Sequence, residues 1–355
     1  MTAIFAPAAP EQTHLRDTTR RRPRPSGWGL ALLVVLILEL VLFSATNRNF
    51  FGGGFGMLAQ INLFMPTALV AMGLAMVVLT GNIDLSVGAT ASLSSVVVGR
   101  LLLSTGNIGL AIVVSVAVGV AIGLLNGVLV AYLKLDSLLV TLAMQFAVGS
   151  IAKAIAGTNP PQNFPAGFQA IGRGALANVP SPLILFLVIG LVVVLVMGKT
   201  RFGRRTVLIG YNPSAGRYSG LPVERTLVGV FVGCAMIAAL GGVLLSAYYN
   251  AGRPQSGMSV LMPALTCVVL GGIDVFGGRG RMGDVIIAVL LMGYLTQGLL
   301  NSGVSSLAAT MTTGLLLVVA LIVKSLSEKQ SLGSLGRRLG ERFAAIGRRP
   351  SLSGD

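Results

Sequence analysis

Ten apolar runs, each near the length of a membrane crossing, dominate this chain: 28–45, 58–80, 86–104, 108–133, 137–156, 181–198, 226–249, 259–274, 283–302 and 305–324. A transmembrane helix needs about 20 mostly apolar residues, because the hydrocarbon core is about 30 Å thick. The predicted fold class is therefore all-α, a polytopic membrane helix bundle of about ten transmembrane helices. Composition points the same way. Only 10% of the 355 residues are charged and 54% are apolar, whereas soluble domains carry about 25% charged residues. A soluble enzyme, a DNA-binding domain and a disordered chain are all excluded. The first run is not read as a cleaved signal, since it follows 27 mostly polar residues and no A-x-A-like site comes after it.

The 26 Lys and Arg against 11 Asp and Glu leave a net charge of +15, and their placement orients the bundle. With the N-terminus inside, 21 cations fall on inner segments and five, Arg48, Arg100, Lys153, Arg173 and Arg253, on outer ones. Cytoplasmic loops carry the Lys/Arg excess, so both termini are expected in the cytoplasm. Membrane lipid is then the partner of the basic surface, and nucleic acid is not needed. The chain divides into a basic tail (1–27), a transmembrane domain (28–325) and a second basic tail (326–355). The last carries Leu332, Leu335, Leu339, Phe343 and Ile346 at helical spacing, as in an amphipathic helix lying on a membrane; its glycines suit a disordered tail too.

An internal repeat is present. GNIDLSVG (81–88) recurs 190 residues later as GGIDVFGG (271–278), each copy between two apolar runs. A duplicated bundle of this kind places its permeation route at the repeat interface; parallel and inverted arrangements both remain open. Asp84 and Asp274 either cap the helices that follow, with Ser86 sharing the work in the first copy, or line the route. Asn126, Gln145, Gln297 and Asn301, with Gln60 and Asn62, are amides inside or beside the apolar runs. A buried amide is costly unless it meets a polar group or a wet cavity. Interhelical bonding and a polar path for a hydroxylated solute are both consistent with them. Glu39, inside the first run, pairs with another helix or snorkels to an end.

Other chemistry is missing. His14 is the one histidine and lies in a polar tail, and Cys234 and Cys267 lie in apolar runs, so no Cys/His metal cluster can be built. No catalytic residues are assembled. The lone Gly-Lys-Thr, at Gly198, Lys199 and Thr200, lacks a P-loop because Val193 stands where its first glycine belongs. Any ATP-driven work then falls to another chain. Gly119, Gly123 and Gly127 form a close-packing face. Loop 199–225 is basic and long, with a turn at Tyr211-Asn212-Pro213-Ser214 between two short helical pieces. It is a docking surface for an external motor, or positive-inside anchoring alone.

Together GNIDLSVGA (81–89), NGVLVAYLKLDSLLVTLA (126–143), TRFGRRTVLIGYNPSAGRYSGLPVERT (200–226), VVLGGIDVFGGRGRMGD (268–284) and GLLNSGVSS (298–306) resemble the membrane-spanning subunits of bacterial ABC importers of the ribose/xylose/arabinose group. Within that group the chain looks most like autoinducer-2 import permeases, then rhamnose permeases. The family usually has Gly where Asn82 stands, and often Thr-Ser where Ile273 and Asp274 stand.

The resemblance implies a multi-pass protein of the bacterial inner membrane that is no enzyme and carries no cofactor, ATP being bound by a cytoplasmic ATPase subunit. It also implies a periplasmic sugar-binding protein and a second permease subunit, identical or paralogous. The surface meeting the ATPase is expected to include Arg204, Arg205, Tyr211, Asn212, Arg217, Arg279 and Arg281. Asp84, Asn126, Gln145, Gln297 and Asn301 are the expected path residues. The rival reading is a proton- or sodium-driven secondary transporter, which calls for an ionisable relay built from Glu39 and the two motif aspartates.

Overall fold

The computed structural model describes residues 27–46, 61–312, 314–316 and 318–319. The tails at 1–26 and 320–355, and with them the amphipathic pattern from Leu332 to Ile346, lie outside the described residues, as do His14 and Gln60. Helices dominate: α1 Gly27–Thr46, α2 Met65–Val78, α3 Val87–Thr105, α4 Ile108–Ala131, α5 Ser137–Ala156, α6 Ala166–Arg173, α7 Ser181–Lys199, α8 Arg201–Tyr211, α9 Pro213–Tyr218, α10 Val223–Tyr249, α11 Met258–Leu270 and α12 Met282–Asn301. Residues 306–312 are helical again. Seven of these helices (α1, α3, α4, α5, α7, α10 and α12) are long and apolar enough to cross a membrane, and α2 and α11 are shorter apolar helices.

Local chemistry sets the boundaries. The Asn107 carboxamide accepts from Leu110 N at 3.0 Å and opens α4. Asp136 does the same for α5, accepting from Leu138 N and Leu139 N at 2.9 and 3.1 Å. Gly106 closes α3 in the left-handed region. Between α6 and α7 the chain makes a minimal antiparallel hairpin, β1 Ala175–Leu176 with β2 Val179–Pro180. Ala177 and Asn178, both at positive φ, form its turn.

The core is a stack of apolar helices sorted by burial. Every residue of α2 is buried, which is the pattern of a helix surrounded on all sides. Around it stand α10, α11, α7 and α12; α3 and α10 are themselves mostly buried, while α1, α4, α5 and α7 leave broad leucine and valine faces exposed. The glycine face of α4 packs on α10 as its spacing predicts. A β-carbon on Gly123 would lie 2.6 Å from Phe231 O, and one on Gly127 2.8 Å from Val228 Cα. No larger residue fits that seam without parting the helices.

Runs 58–80 and 259–274 form shorter helices than their apolar length allows, and for the second the reason is that the chain turns back inside the bundle. After α10 the backbone does not climb out and restart at the far end, the end opposite α8 and α9. Gly252 N bonds Pro161 O at 2.8 Å and Asn250 Oδ1 accepts Phe164 N at 2.7 Å. The chain then descends until Gly257 N donates to Ser92 Oγ at 3.0 Å. Close by, Ser94 Oγ donates to Ala239 O at 2.8 Å, past the midpoint of α10. So α11 starts deep in the bundle, and its 13 residues rise only about 20 Å. It ends where Trp28 Nε1, at the start of α1, donates to Leu270 O at 2.8 Å. The rest of run 259–274 is turn, with Gly272 at φ +77°.

Candidate functional site

Both copies of the repeated motif fold into the same local device. Asp84 Oδ1 accepts Ser86 N at 2.9 Å, and Asp274 Oδ1 accepts Phe276 N at 3.0 Å. In each, a carboxylate grips the amide two residues on, as an Asx turn does. The capping expectation for these aspartates is not met: Ser86 at the start of α3 and Arg281 at the start of α12 are the N-cap residues and neither end has a side-chain cap, because each carboxylate is already used in its own turn. The two turns also lie at one end of the bundle, because Gly278 N donates to Leu79 O at 2.9 Å.

The first turn runs inward into a buried polar chain. Ser86 Oγ donates to Asp84 Oδ1 at 2.6 Å and accepts from Asn126 Nδ2 at 2.8 Å. Asp84, Ser86 and Asn126 are all fully buried. Asp84 Oδ2 and Asn126 Oδ1 have no partner among the described residues. Helix α5 is stitched to the same loop: Thr141 Oγ1 accepts Leu85 N at 3.1 Å and shares its proton between Ser137 O at 2.7 Å and Ile83 O at 3.2 Å, while Ser137 Oγ accepts Ile83 N at 3.3 Å. One turn beyond Thr141 on α5 is Gln145, whose amide reaches Met258 Sδ, at the start of α11, at 3.9 Å. The sequence-derived path residues therefore fall into two groups. Asp84, Asn126 and Gln145 gather around the first turn and the deep start of α11. Gln297 and Asn301 stand apart, near the end of α12 and beside the stretch where Gly298 meets the Phe43 ring.

At the other end of that loop, three backbones meet. A β-carbon on Gly210, at the end of α8, would lie 2.5 Å from Gly278 N and collide with Leu79 O. One on Gly277 would lie 2.5 Å from Gly81 N and 3.0 Å from Gly210 O. Gly81 and Gly277 adopt φ of +75° and +88°, which only glycine takes without strain. Helix α8 is thereby seated directly on both copies of the motif.

The surrounding face carries the residues expected to meet a motor. The Arg279 guanidinium lies 5.9 Å from the centre of the Tyr211 ring. Arg204 Nη1 donates to Lys199 O at 3.2 Å, and Arg205 is half-buried. Arg281 is exposed just ahead of α12. Two of the set have structural duties. Asn212 Oδ1 accepts Ala215 N at 3.0 Å and opens α9, and Arg217 pairs with Glu224 at 2.9 Å. The sequence reasoning missed the two most exposed aromatic rings here, Tyr218 at 94% and Phe276 at 90%. An aromatic ring in each short loop element was the available signal.

At the far end, Arg173 donates to Tyr248 O and stands over its ring at 5.6 Å, and Arg253 lies over Tyr249 at 5.4 Å.

Among the described residues no group of His, Cys, Asp and Glu is arranged to hold a metal. Residues 56–323 match the family model described as the permease component of a branched-chain amino acid transport system. The chain belongs to that permease family. The matched span takes in both motif turns, α8, α9 and the buried polar chain. The permease is also 36% identical, over 307 residues, to the protein named autoinducer 2 import system permease protein LsrD in Escherichia coli strain K12, in E. coli O157:H7 and in Shigella flexneri. The alignment covers 85% of this permease and 93% of each relative. No solved structure matches it significantly.

Proposed function

We propose that this chain is the transmembrane permease subunit of an ABC importer of the bacterial inner membrane, carrying a monosaccharide-type solute, with autoinducer 2 as the solute to test first. The observation that carries the reading is the match to permeases named for autoinducer 2 import along nearly their whole length. The fold is compatible in kind: apolar helices, a long basic loop folded as α8 and α9, and Gly198-Lys199-Thr200 at a helix end with no phosphate loop around it.

In this reading the bundle has ten crossings with both termini cytoplasmic. The end bearing α8 and α9 is the cytoplasmic one, supported by Lys199, Arg201, Arg204, Arg205 and Arg217 clustered there. A separate ATPase subunit binds ATP and docks on Arg204, Arg205, Tyr211, Arg279 and Arg281, with Tyr218 and Phe276 as its apolar anchors. A periplasmic binding protein delivers solute to the far end. A second permease subunit, identical or paralogous, completes the membrane unit. The route passes Gln145 on the α5 and α11 face. This half-buried amide has no strong partner among its hydrogen bonds, and an amide in a membrane needs polar company. Asp84 and Asn126 stand behind that face, and Gln297 and Asn301 nearer the outer mouth. The chain itself performs no covalent chemistry.

Proteoliposomes holding the complex, its binding protein and internal ATP test the reading with labelled autoinducer 2. Uptake is expected to persist when a protonophore collapses the membrane potential and to stop when ATP is depleted. The opposite pattern would replace the importer with an ion-coupled carrier.

A further inference from the structure

Loop 79–86 touches two things that a transporter must connect, and it touches them at opposite ends. Its first residue, Leu79, accepts a hydrogen bond from Gly278 N at 2.9 Å and lies against Gly210 at the end of α8. Its later residues, Ile83 and Leu85, are bonded to Thr141 on α5, and Ser86 is bonded to Asn126 on α4. Between them the loop makes no helix that could bend or fray.

The contact at the Leu79 end is made by backbone. A β-carbon at Gly210 meets the Leu79 carbonyl and Gly278 N, and one at Gly278 would lie 2.8 Å from Tyr211 N. Side chains change rotamer and can absorb a displacement; a carbonyl wedged between two backbones cannot. Arg279 over the Tyr211 ring closes the same joint from the solvent side.

We infer that Gly210 is a positioning residue for transport: it seats α8 so closely on Leu79 that a movement of α8 passes through loop 79–86 to Thr141 and on to the α5 face bearing Gln145. The inference rests on the reading that an ATPase docks at α8 and α9. What it adds is the element that receives the motion and the atoms that pass it on. Gly210 neither binds solute nor touches nucleotide. Its role is to hold a carbonyl of the α2–α3 loop within reach of the docking helix.

The experiment uses the full complex purified from its own host, reconstituted with its binding protein, and reads two rates together: ATP hydrolysis and autoinducer-2 uptake. Gly210→Ala is expected to keep the ATPase subunit bound and hydrolysing while uptake per ATP falls about tenfold, within the usual range of coupling between sites. A purely structural defect lowers hydrolysis, assembly and uptake together. Gly198→Ala, where an added β-carbon meets nothing within 4 Å, serves as the control and is expected to match the unaltered protein. Arg279→Gln is the second probe, since it loosens the joint without inserting an atom. It is expected to lower the same ratio, and Arg279→Lys to restore part of it.

A Gly210→Ala complex with an unchanged uptake-to-hydrolysis ratio overturns the inference. If Gly210→Ala does not assemble, an unchanged ratio in Arg279→Gln overturns it instead. An unaltered permease that purifies without any ATPase removes the reading beneath it, which is a different and separately visible failure.

Discussion

Replacing Gly123 with alanine sets two known effects against each other, and the structure says which prevails. Alanine is the better helix former by about 1 kcal/mol, so an unobstructed Gly→Ala change in α4 should stabilise the permease. At Gly123 the new carbon is obstructed: it lies 2.6 Å from Phe231 O, 2.7 Å from Ala235 Cβ and 2.8 Å from Val232 Cα, where ordinary contact begins at 3.4 Å. The two helices must therefore part by about 0.8 Å at this point. A gap of about that size forfeits a quarter to a half of each dispersion contact it opens. The obstructing atoms are backbone and a β-carbon, which cannot swing aside, so the upper part of the usual overpacking cost applies, about 3 kcal/mol. The net expectation is a loss of about 2 kcal/mol. Gly149→Ala on α5 is the matched comparison, because its nearest neighbour would be Ala89 Cβ at 3.9 Å; it should gain up to about 1 kcal/mol. Both are measured by reversible SDS unfolding of the purified permease in mixed micelles. If Gly123→Ala proves as stable as Gly149→Ala, α4 and α10 do not pack as described.

Ser86→Ala removes the hydroxyl between Asp84 and Asn126 and leaves Asn126 Nδ2 buried without its acceptor, so it is expected to cost about 1–3 kcal/mol in the same unfolding assay. Asn126→Leu removes both groups of the amide and should cost less, and the double variant should cost less than the sum; strict additivity would show that the three do not act as a unit. Gln145→Leu is expected to leave unfolding within about 0.5 kcal/mol of the unaltered permease while cutting solute uptake severalfold, and full uptake by that variant removes Gln145 from the route.

The helices were legible because lipid demands long apolar runs, and such runs are written contiguously. The packing face at Gly119, Gly123 and Gly127 could be read for the same reason, since helical periodicity shows one face of one helix. Asn212 and the break between α8 and α9 were equally local. What stayed hidden was tertiary. Nothing in the sequence announces that Asn126 will find Ser86, 40 residues away, or that Gly210 will rest on Leu79 and Gly278. The late start of α2 and the early stops of α2 and α11 were missed because hydropathy does not distinguish an apolar helix from apolar turns beside it. Phe276 was passed over because an aromatic residue in a glycine-rich stretch ordinarily packs inward, and here the Asx turn at Asp274 points it out.

The seam between α4 and α10 also has a consequence in time. The ribosome finishes α4 at Ala131 and does not reach the end of α10 at Tyr249 until 118 residues later. At about 5–20 residues per second, that interval lasts about 6–24 s. Throughout it the glycine face of α4 has no matching helix and must be shielded by lipid tails or by the insertion machinery. Chains halted before Val223 would carry that bare stripe indefinitely, which makes the nascent permease most vulnerable to membrane quality control in the middle of its own synthesis.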